Sequence, residues 1–283
     1  MTPEQREQAR IAAFVAPATI FMLAMFAVPL FAVFWQSITT NAGDEFSLAA
    51  YAKILSTPIF AKVAYTTIEI SIGATIFAFV LAYPIAYFLA KQPPRRRAFC
   101  MILILIPFFT SSLVKSFAFT VILGHAGVIN DILGIFGLGP VKMLYNRFGV
   151  MVGMSHFLVP FMVFPIMANL IGQPPELAKA AAIMGANKLN VFLRVTFPLS
   201  LPGVVAGALL VFILCLGFYL VPALLGSRHD MMMSNLIDFY AREVLDWSMA
   251  SAIAVFLTIA AIIAAILISM VKGGGSILSN ETR

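Results

Sequence analysis

Between Leu177 and Pro198 the chain reads LAKAAAIMGANKLNVFLRVTFP, a small, amphipathic and basic stretch set between two apolar runs. The run before it is GVMVGMSHFLVPFMVFPIMANLI (149–171), and the run after it is LSLPGVVAGALLVFILCLGFYLV (199–221). Pro174 and Pro175 stand where a helix can begin, Glu176 falls in a first turn where the helix dipole favours an acid, and Gly185 is placed to end it. Leu177, Ala181 and Met184 share one face at i, i+4, i+7, while Ala178, Ala180 and Ala182 keep the flanks slim. Such a helix either rests on its own bundle, as an ordinary connection between two helices, or lies in a groove offered by another protein.

The flanking runs belong to a larger set. Of the 283 residues 61% are hydrophobic and only 11% charged, where a soluble domain carries about 25% charged residues. Mean hydropathy is +1.00. Apolar stretches long enough to cross a bilayer of about 30 Å as helices occur near 11–35, 63–90, 98–123, 149–171, 199–221 and 249–271. The runs show almost no polar face, which disfavours six buried helices of a soluble protein. The fold expected is therefore an all-α membrane protein with six transmembrane helices, one transmembrane domain over 1–283, and a connecting loop at 172–197. The N-terminal MTPEQREQAR mixes Glu4 and Glu7 with Arg6 and Arg10 and leads to no small-residue cleavage site, so the first run is expected to be retained as a span.

Orientation follows from the basic residues, because loops rich in Lys and Arg stay on the cytoplasmic side. The sharpest cluster is KQPPRRR, with Lys91, Arg95, Arg96 and Arg97 between the second and third runs. Six spans then place both termini inside. Arg6, Arg10, Lys179, Lys188, Arg194, Lys272 and Arg283 join that cluster on the inside. Lys53, Lys62, Lys142, Arg147, Arg228 and Arg242 fall outside, and Lys115 lies in the membrane. This asymmetry accounts for the net charge of +6 by the bilayer, with no nucleic-acid partner. The outer connections, Gln36 to Lys62, Gly124 to Phe148 and Pro222 to Ser248, are long enough to meet a soluble partner. The middle one, GHAGVINDILGIFGLGP (124–140), has the spacing of a short interfacial helix with a Gly-Pro stop. Cys100 and Cys215 show no CxxC spacing and read as small core residues.

The 177–198 stretch resembles the signature loop of importer-type ABC permeases: Glu-Ala-Ala, three residues, Gly, nine residues, then Ile or Val, any residue, Leu and Pro. Here that pattern falls on Lys179, Ala180, Ala181, Gly185, Val195, Phe197 and Pro198, with Leu177 and Ala186 also matching. The leading acid is replaced by Lys179. Glu176, three residues earlier on the same helical surface, could supply it instead. Further stretches, GVINDIL (127–133), MLYNRFGV (143–150), GMSHFLVPFMVFPI (153–166), Phe197 to Gly226 and MMMSNLI (231–237), resemble the spermidine/putrescine permease branch, first-subunit type, over roughly Ala64 to Ile253.

This resemblance implies a type I ABC importer permease fold and a subunit that transports nothing alone. Its implied partners are a second permease in a heterodimer, two cytoplasmic nucleotide-binding ATPase subunits reached through Glu176 to Arg194, and an extracytoplasmic solute-binding protein. The implied setting is the bacterial inner membrane, multi-pass. No Walker-type loop ending in Lys-Ser or Lys-Thr occurs, so the chain itself is not expected to be an ATPase; the resemblance implies a permease subunit that is not an enzyme and binds no cofactor, with ATP and Mg on the ATPase partner. The implied solutes are polyamines, or alternatively opines, amino-acid-derived compounds or aminoethylphosphonate.

The third run supplies the candidate substrate path. PFFTSSLVKSFAF (107–119) puts Thr110, Ser111, Ser112 and Lys115 into a span where a charge must face the bundle interior or a partner. The polyamine branch resembles Trp-Thr-Ser, two residues, Val-Arg, one residue, Tyr-Ala-Trp at this place. Here Phe109, Phe117 and Phe119 replace its Trp and Tyr residues. Glu69 is the other intramembrane charge. Glu69 and Lys115 either pair with each other, snorkel to the outer interface, or touch solute. Phe218 and Tyr219 can present an aromatic face to an ammonium group or simply pack. Tyr83 and Pro84 read as a kink with local packing. His125, His156 and His229 are too dispersed to form a ligand set, and no metal site is expected. A secondary transporter would show inverted repeats with a coupling-ion site, and neither is evident. A structural membrane scaffold would have no need of the loop's spacing.

Overall fold

The computed structural model describes residues 3–41 and 45–273, with side chains described for 15–41 and 45–266. Of the basic residues counted for orientation, Arg283 lies outside the described residues, and the side chains of Arg6, Arg10 and Lys272 do too. The described chain is helical, with one isolated antiparallel bridge between Thr39 and Phe46. Among the described residues, five helices are long and apolar enough to cross a membrane, six when one bent pair counts as a span.

By its internal contacts the chain divides into two units. The first holds α1 (Pro3–Ser37), α2 (Ala49–Ser56) and the segment Leu236–Phe256. Its polar joints are short-range in space and long-range in sequence: Ser248 donates through its backbone N–H to Asn41 Oδ1 at 2.9 Å and through its hydroxyl to the Thr39 carbonyl at 2.7 Å. Tyr51 donates to Ser37 Oγ at 2.8 Å. Most of the apolar side chains of α1, among them Ile20, Met22, Phe26 and Phe31, are exposed, as on a helix that meets lipid or another subunit.

The second unit holds α3 (Pro58–Ala90), α4 (Pro94–Phe109), α5 (Ser112–Ile122), α6 (Val128–Ile135), α7 (Arg147–Ile171), α8 (Pro175–Ile183), α9 (Lys188–Val191), a π-turn at Phe192–Thr196, α10 (Phe197–Leu216) and α11 (Leu220–Leu225). The chain continues through the start of α12 (Met233–Asp238), and α13 (Trp247–Gly273) runs through both units.

The core of the second unit is the trio α3, α7 and α10. Apolar side chains gain nothing by leaving lipid for protein, so helices associate in a membrane through close approach and small residues. The sequence provides both. Ala74, Ala78, Ala82 and Ala86 recur every fourth residue on α3 and are fully buried. On α10, Gly203 and Gly207 form a GxxxG pair facing α7. A Cβ on Gly203 would stand 2.6 Å from Asn169 Cβ and 2.8 Å from the Pro165 carbonyl; one on Gly207 would stand 2.8 Å from Met162 Sδ. Larger residues there would push the two backbones apart.

Three expectations are corrected. The third run is not one straight helix: α4 and α5 meet at 90° across Thr110 and Ser111. The hydroxyl-rich Thr-Ser-Ser stretch is the break itself, with extended backbone at Thr110 and no side-chain cap for α5. The fifth run ends at Leu216, not at Val221, because Gly217 terminates α10 and Phe218 and Tyr219 form the link to α11. The third correction concerns α8: its apolar stripe is not a single exposed face, since Ala181 is buried while Leu177 and Met184 point outward.

Candidate functional site

Two places in the second unit bring chemistry-bearing side chains together. The first is the 172–197 connection. Pro175 opens α8 at N1, and Glu176 lies in the first turn. The helix closes with backbone N–H donors of Met184, Gly185 and Ala186 reaching the carbonyls of Ala180, Ala182 and Ala181 at 3.0, 3.0 and 3.1 Å. Gly185 has φ of 87°, a left-handed conformation that favours glycine at a helix end. Asn187 then caps α9 by accepting from the Asn190 N–H at 2.8 Å.

Buried Ala181 and half-buried Ala178 turn α8 toward α9 and the π-turn. Around them Leu177, Ile183, Met184 and, on α9, Leu189 stand exposed, Ile183 by 86% and Met184 by 82%. Glu176, Lys179, Ala180 and Arg194 are also exposed, as is Pro198. Neither Glu176 nor Lys179 forms an ion pair among the described residues. Large apolar side chains here stand exposed beside charges without an ion-pair partner among the described residues.

The sequence reading missed how this connection grips the helix core. Tyr83, expected with Pro84 to mark a kink with local packing, has its hydroxyl 2.9 Å from Ser200 Oγ at the start of α10. Its ring meets Phe192 of the π-turn at 5.9 Å and Phe197 at 5.4 Å, and Tyr87 meets Phe192 at 5.2 Å. The four-residue spacing of Phe79, Tyr83 and Tyr87, which puts the three rings along one side of α3, was the available signal. Gln173 also spans the connection, donating to the Thr196 carbonyl at 3.3 Å.

The second place is a cavity of about 250 Å³ between α3, α4, α5 and α7, lined in part by Ile104, Pro107, Lys115, His156 and Phe157. Lys115 is only 8% exposed, and its Nζ stands 4.1 Å from the centroid of the Phe157 ring, a cation–π contact. Phe157 leads on to Phe218 at 5.7 Å, and His156 to Phe119 at 5.2 Å. Lys115, Phe119 and Phe218 are thus brought into one cluster through His156 and Phe157, which the sequence reading had not placed there. Thr110, Ser111 and Ser112 lie exposed at the α4–α5 break, and Phe117 points outward, 54% exposed. Tyr219 is partly exposed, and its carbonyl accepts from Asn235 Nδ2 at 3.0 Å.

Glu69 belongs to neither place. Its carboxylate pairs with Arg147 at the start of α7, which donates through Nε to Asp230 Oδ1 at 3.1 Å. Asp230 also accepts from the Ser227 N–H and hydroxyl, at 3.1 and 2.5 Å. The sequence reading considered Glu69 as a partner of Lys115; Arg147, counted with the outer loop, takes that position. Lys115 itself forms no ion pair among the described residues.

A model of the family described as binding-protein-dependent transport system inner membrane component matches residues 82–272, a range that includes the whole α8 connection and the core helices α7 and α10. The chain belongs to this family. It is therefore an inner-membrane transport component with several membrane-spanning helices. The chain is similar to the spermidine/putrescine transport system permease protein PotB of Escherichia coli K12, with 32% identity over 216 residues covering 76% of this chain and 78% of that one. PotB of Haemophilus influenzae is 30% identical over 254 residues, 87% and 88% of the two chains. Among solved structures, a bacterial ABC transporter involved in the import of alginate superposes with a TM-score of 0.73 at 17% identity, over 95% of this chain and 96% of that one, a likeness of fold.

Proposed function

We propose that this chain is a transmembrane permease subunit of an ATP-driven importer for polyamines of the spermidine and putrescine type, or a closely related amine-bearing solute. The observation that carries the reading is the similarity to PotB permeases over three quarters or more of the chain. The structural counterpart is α8, an exposed apolar and charged helix tied by the Tyr83–Phe192–Phe197 contacts to the helix core.

In this reading both termini and α8 face the cytoplasm. A second permease subunit completes the cavity beside Lys115, an extracytoplasmic binding protein delivers the solute, and two ATPase subunits carry ATP and Mg. Closure of the ATPases moves α8, and the π-turn hands that movement to α3 and α10, switching the opening from one side to the other. The cavity wall supplies aromatic rings at Phe108 and Phe157 for an ammonium group, with Phe119 and Phe218 packed behind His156 and Phe157. Any acids that fix a polyamine would come from the second subunit.

Lys115 favours a second reading. A buried ammonium on the solute path repels a diamine and attracts a carboxylate or phosphonate, so the alternative cargo is an opine, another amino-acid-derived solute or aminoethylphosphonate. A thermal-shift screen of the partner binding protein separates the two. Stabilisation by putrescine or spermidine alone supports the first reading. Stabilisation only by carboxylate or phosphonate ligands supports the second and makes Lys115→Met the variant to assay for uptake.

A further inference from the structure

The turn between α3 and α4 carries four cations, and the structure divides them into two pairs. Arg97 is used internally: its guanidinium donates to the carbonyls of Leu89, Ala90 and Gln92 at 3.2, 3.4 and 3.0 Å, closing the end of α3. Lys91 is also engaged, with Nζ 3.8 Å from the Tyr87 ring centroid and 2.5 Å from its hydroxyl. Arg95 and Arg96 differ. Both are exposed, and neither forms an ion pair among the described residues. Together they line a hollow of about 430 Å³ whose other walls are Phe88, Gln92, Phe99 and Cys100, with no acidic residue.

The hollow has an apolar continuation. Phe99, Ile102, Leu103 and Ile106, spaced i, i+3, i+4, i+7, form one exposed stripe along α4, a helix with no buried residue. A pair of free guanidinium groups at one end and a hydrocarbon track leading away from them match a ligand with an anionic head and an acyl tail.

We propose that this site holds an anionic phospholipid, its phosphate on Arg95 and Arg96 and an acyl chain along the Phe99–Ile106 stripe. Guanidinium recognises phosphate in a fork geometry, and basic residues at the membrane surface attract anionic headgroups. A free phosphate would use the arginines and leave the stripe bare. An acidic protein surface would likewise find no use for a track that runs into the membrane.

The test uses the complete transporter complex, delipidated and offered phosphatidylglycerol or phosphatidylcholine of identical acyl chains, with bound lipid read by native mass spectrometry. The wild type retains phosphatidylglycerol selectively. Arg95→Gln with Arg96→Gln weakens retention roughly 30-fold, from about fivefold per basic residue at the surface, while Arg95→Lys with Arg96→Lys, which keeps the charges and loses the fork, falls between the wild type and the Gln variant. An unchanged melting temperature in both variants shows that the turn still folds. Equal retention of the two lipids by the wild type would overturn the proposal, as would unaltered phosphatidylglycerol retention in the Gln variant. Displacement of the lipid by millimolar inorganic phosphate would overturn the lipid assignment in favour of a soluble anion. Loss of the ATPase subunits from the Gln variant with lipid retention intact would overturn it in favour of a protein contact.

Discussion

The hydroxyl of Tyr83, in the last third of α3, lies 2.9 Å from Ser200 Oγ in the first turn of α10, and the same ring packs on Phe192 in the π-turn that ends the α8 connection. One side chain of α3 therefore touches both α10 and the segment through which an ATPase would act. A π-turn inside a helix frequently falls at a functional site. Phe192→Ala is expected to lower solute transported per ATP hydrolysed by about 2- to 30-fold, the usual span for residues that carry coupling, while subunit assembly persists. Tyr83→Phe removes only the hydroxyl contact and should cost about 0.6–2 kcal/mol of stability, with a smaller effect on coupling. Proteoliposome uptake measured beside ATPase rate checks both.

The closeness of α7 and α10 sets a second expectation. Gly203→Ala places a Cβ against the Pro165 carbonyl and Asn169 Cβ, atoms that cannot swing away. A loss of roughly 1–3 kcal/mol follows from overpacking. Gly134→Ala in α6, where no atom lies within 4 Å of the new Cβ, should be neutral or slightly stabilising. Thermal unfolding in detergent compares the pair.

The Arg147 network predicts an ordering of its members. Glu69 and Arg147 side chains are about one third exposed, at 36% and 35%, so Glu69→Gln should cost under about 1 kcal/mol. The Asp230 side chain is 7% exposed and holds Arg147 as well as both donors of Ser227, so Asp230→Ala should cost about 2–4 kcal/mol. Equal melting temperatures for the two variants would contradict the geometry.

The unpaired charges of α8 provide a fourth prediction. If Lys179 meets an acid on the ATPase, Lys179→Glu weakens ATPase binding about tenfold, and a reversed charge on the ATPase restores it, the signature of a charge pair across an interface. Gly185→Ala meets no atoms within 4 Å but must hold a φ of 87°, a cost of about 1 kcal/mol. It should loosen the end of α8 and lower ATPase stimulation without loss of the subunit from the membrane. Co-purification and ATPase assays read the two effects separately.

Much of this architecture was legible because lipid imposes simple rules. Apolar length marked the spans, and Pro175, Glu176 and Gly185 bounded α8 to within a residue or two. What stayed hidden depends on direction and partner. Composition does not bend a helix, so the break at Thr110 and Ser111 was read through as one span. The pairing of Glu69 with Arg147 joins residues 78 apart in sequence, and nothing local distinguishes it from a pairing with Lys115. On α8 the shared face of Leu177, Ala181 and Met184 divides by size, since Ala181 is small enough to pack against the chain's own connection while the larger residues stay exposed. The GxxxG pair at Gly203 and Gly207 was visible in the sequence, yet only its place opposite Met162 and Pro165 gives it meaning.

The most direct test of the account is ATP-driven uptake of labelled putrescine and spermidine into proteoliposomes holding this chain with its second permease, ATPase subunits and binding protein. The account predicts accumulation that requires ATP and the binding protein together and falls sharply when Ile183 and Met184 are both replaced by Asp. Accumulation that persists without nucleotide, or in the Ile183→Asp, Met184→Asp variant, would contradict the assignment of α8 as the surface through which ATP hydrolysis drives transport.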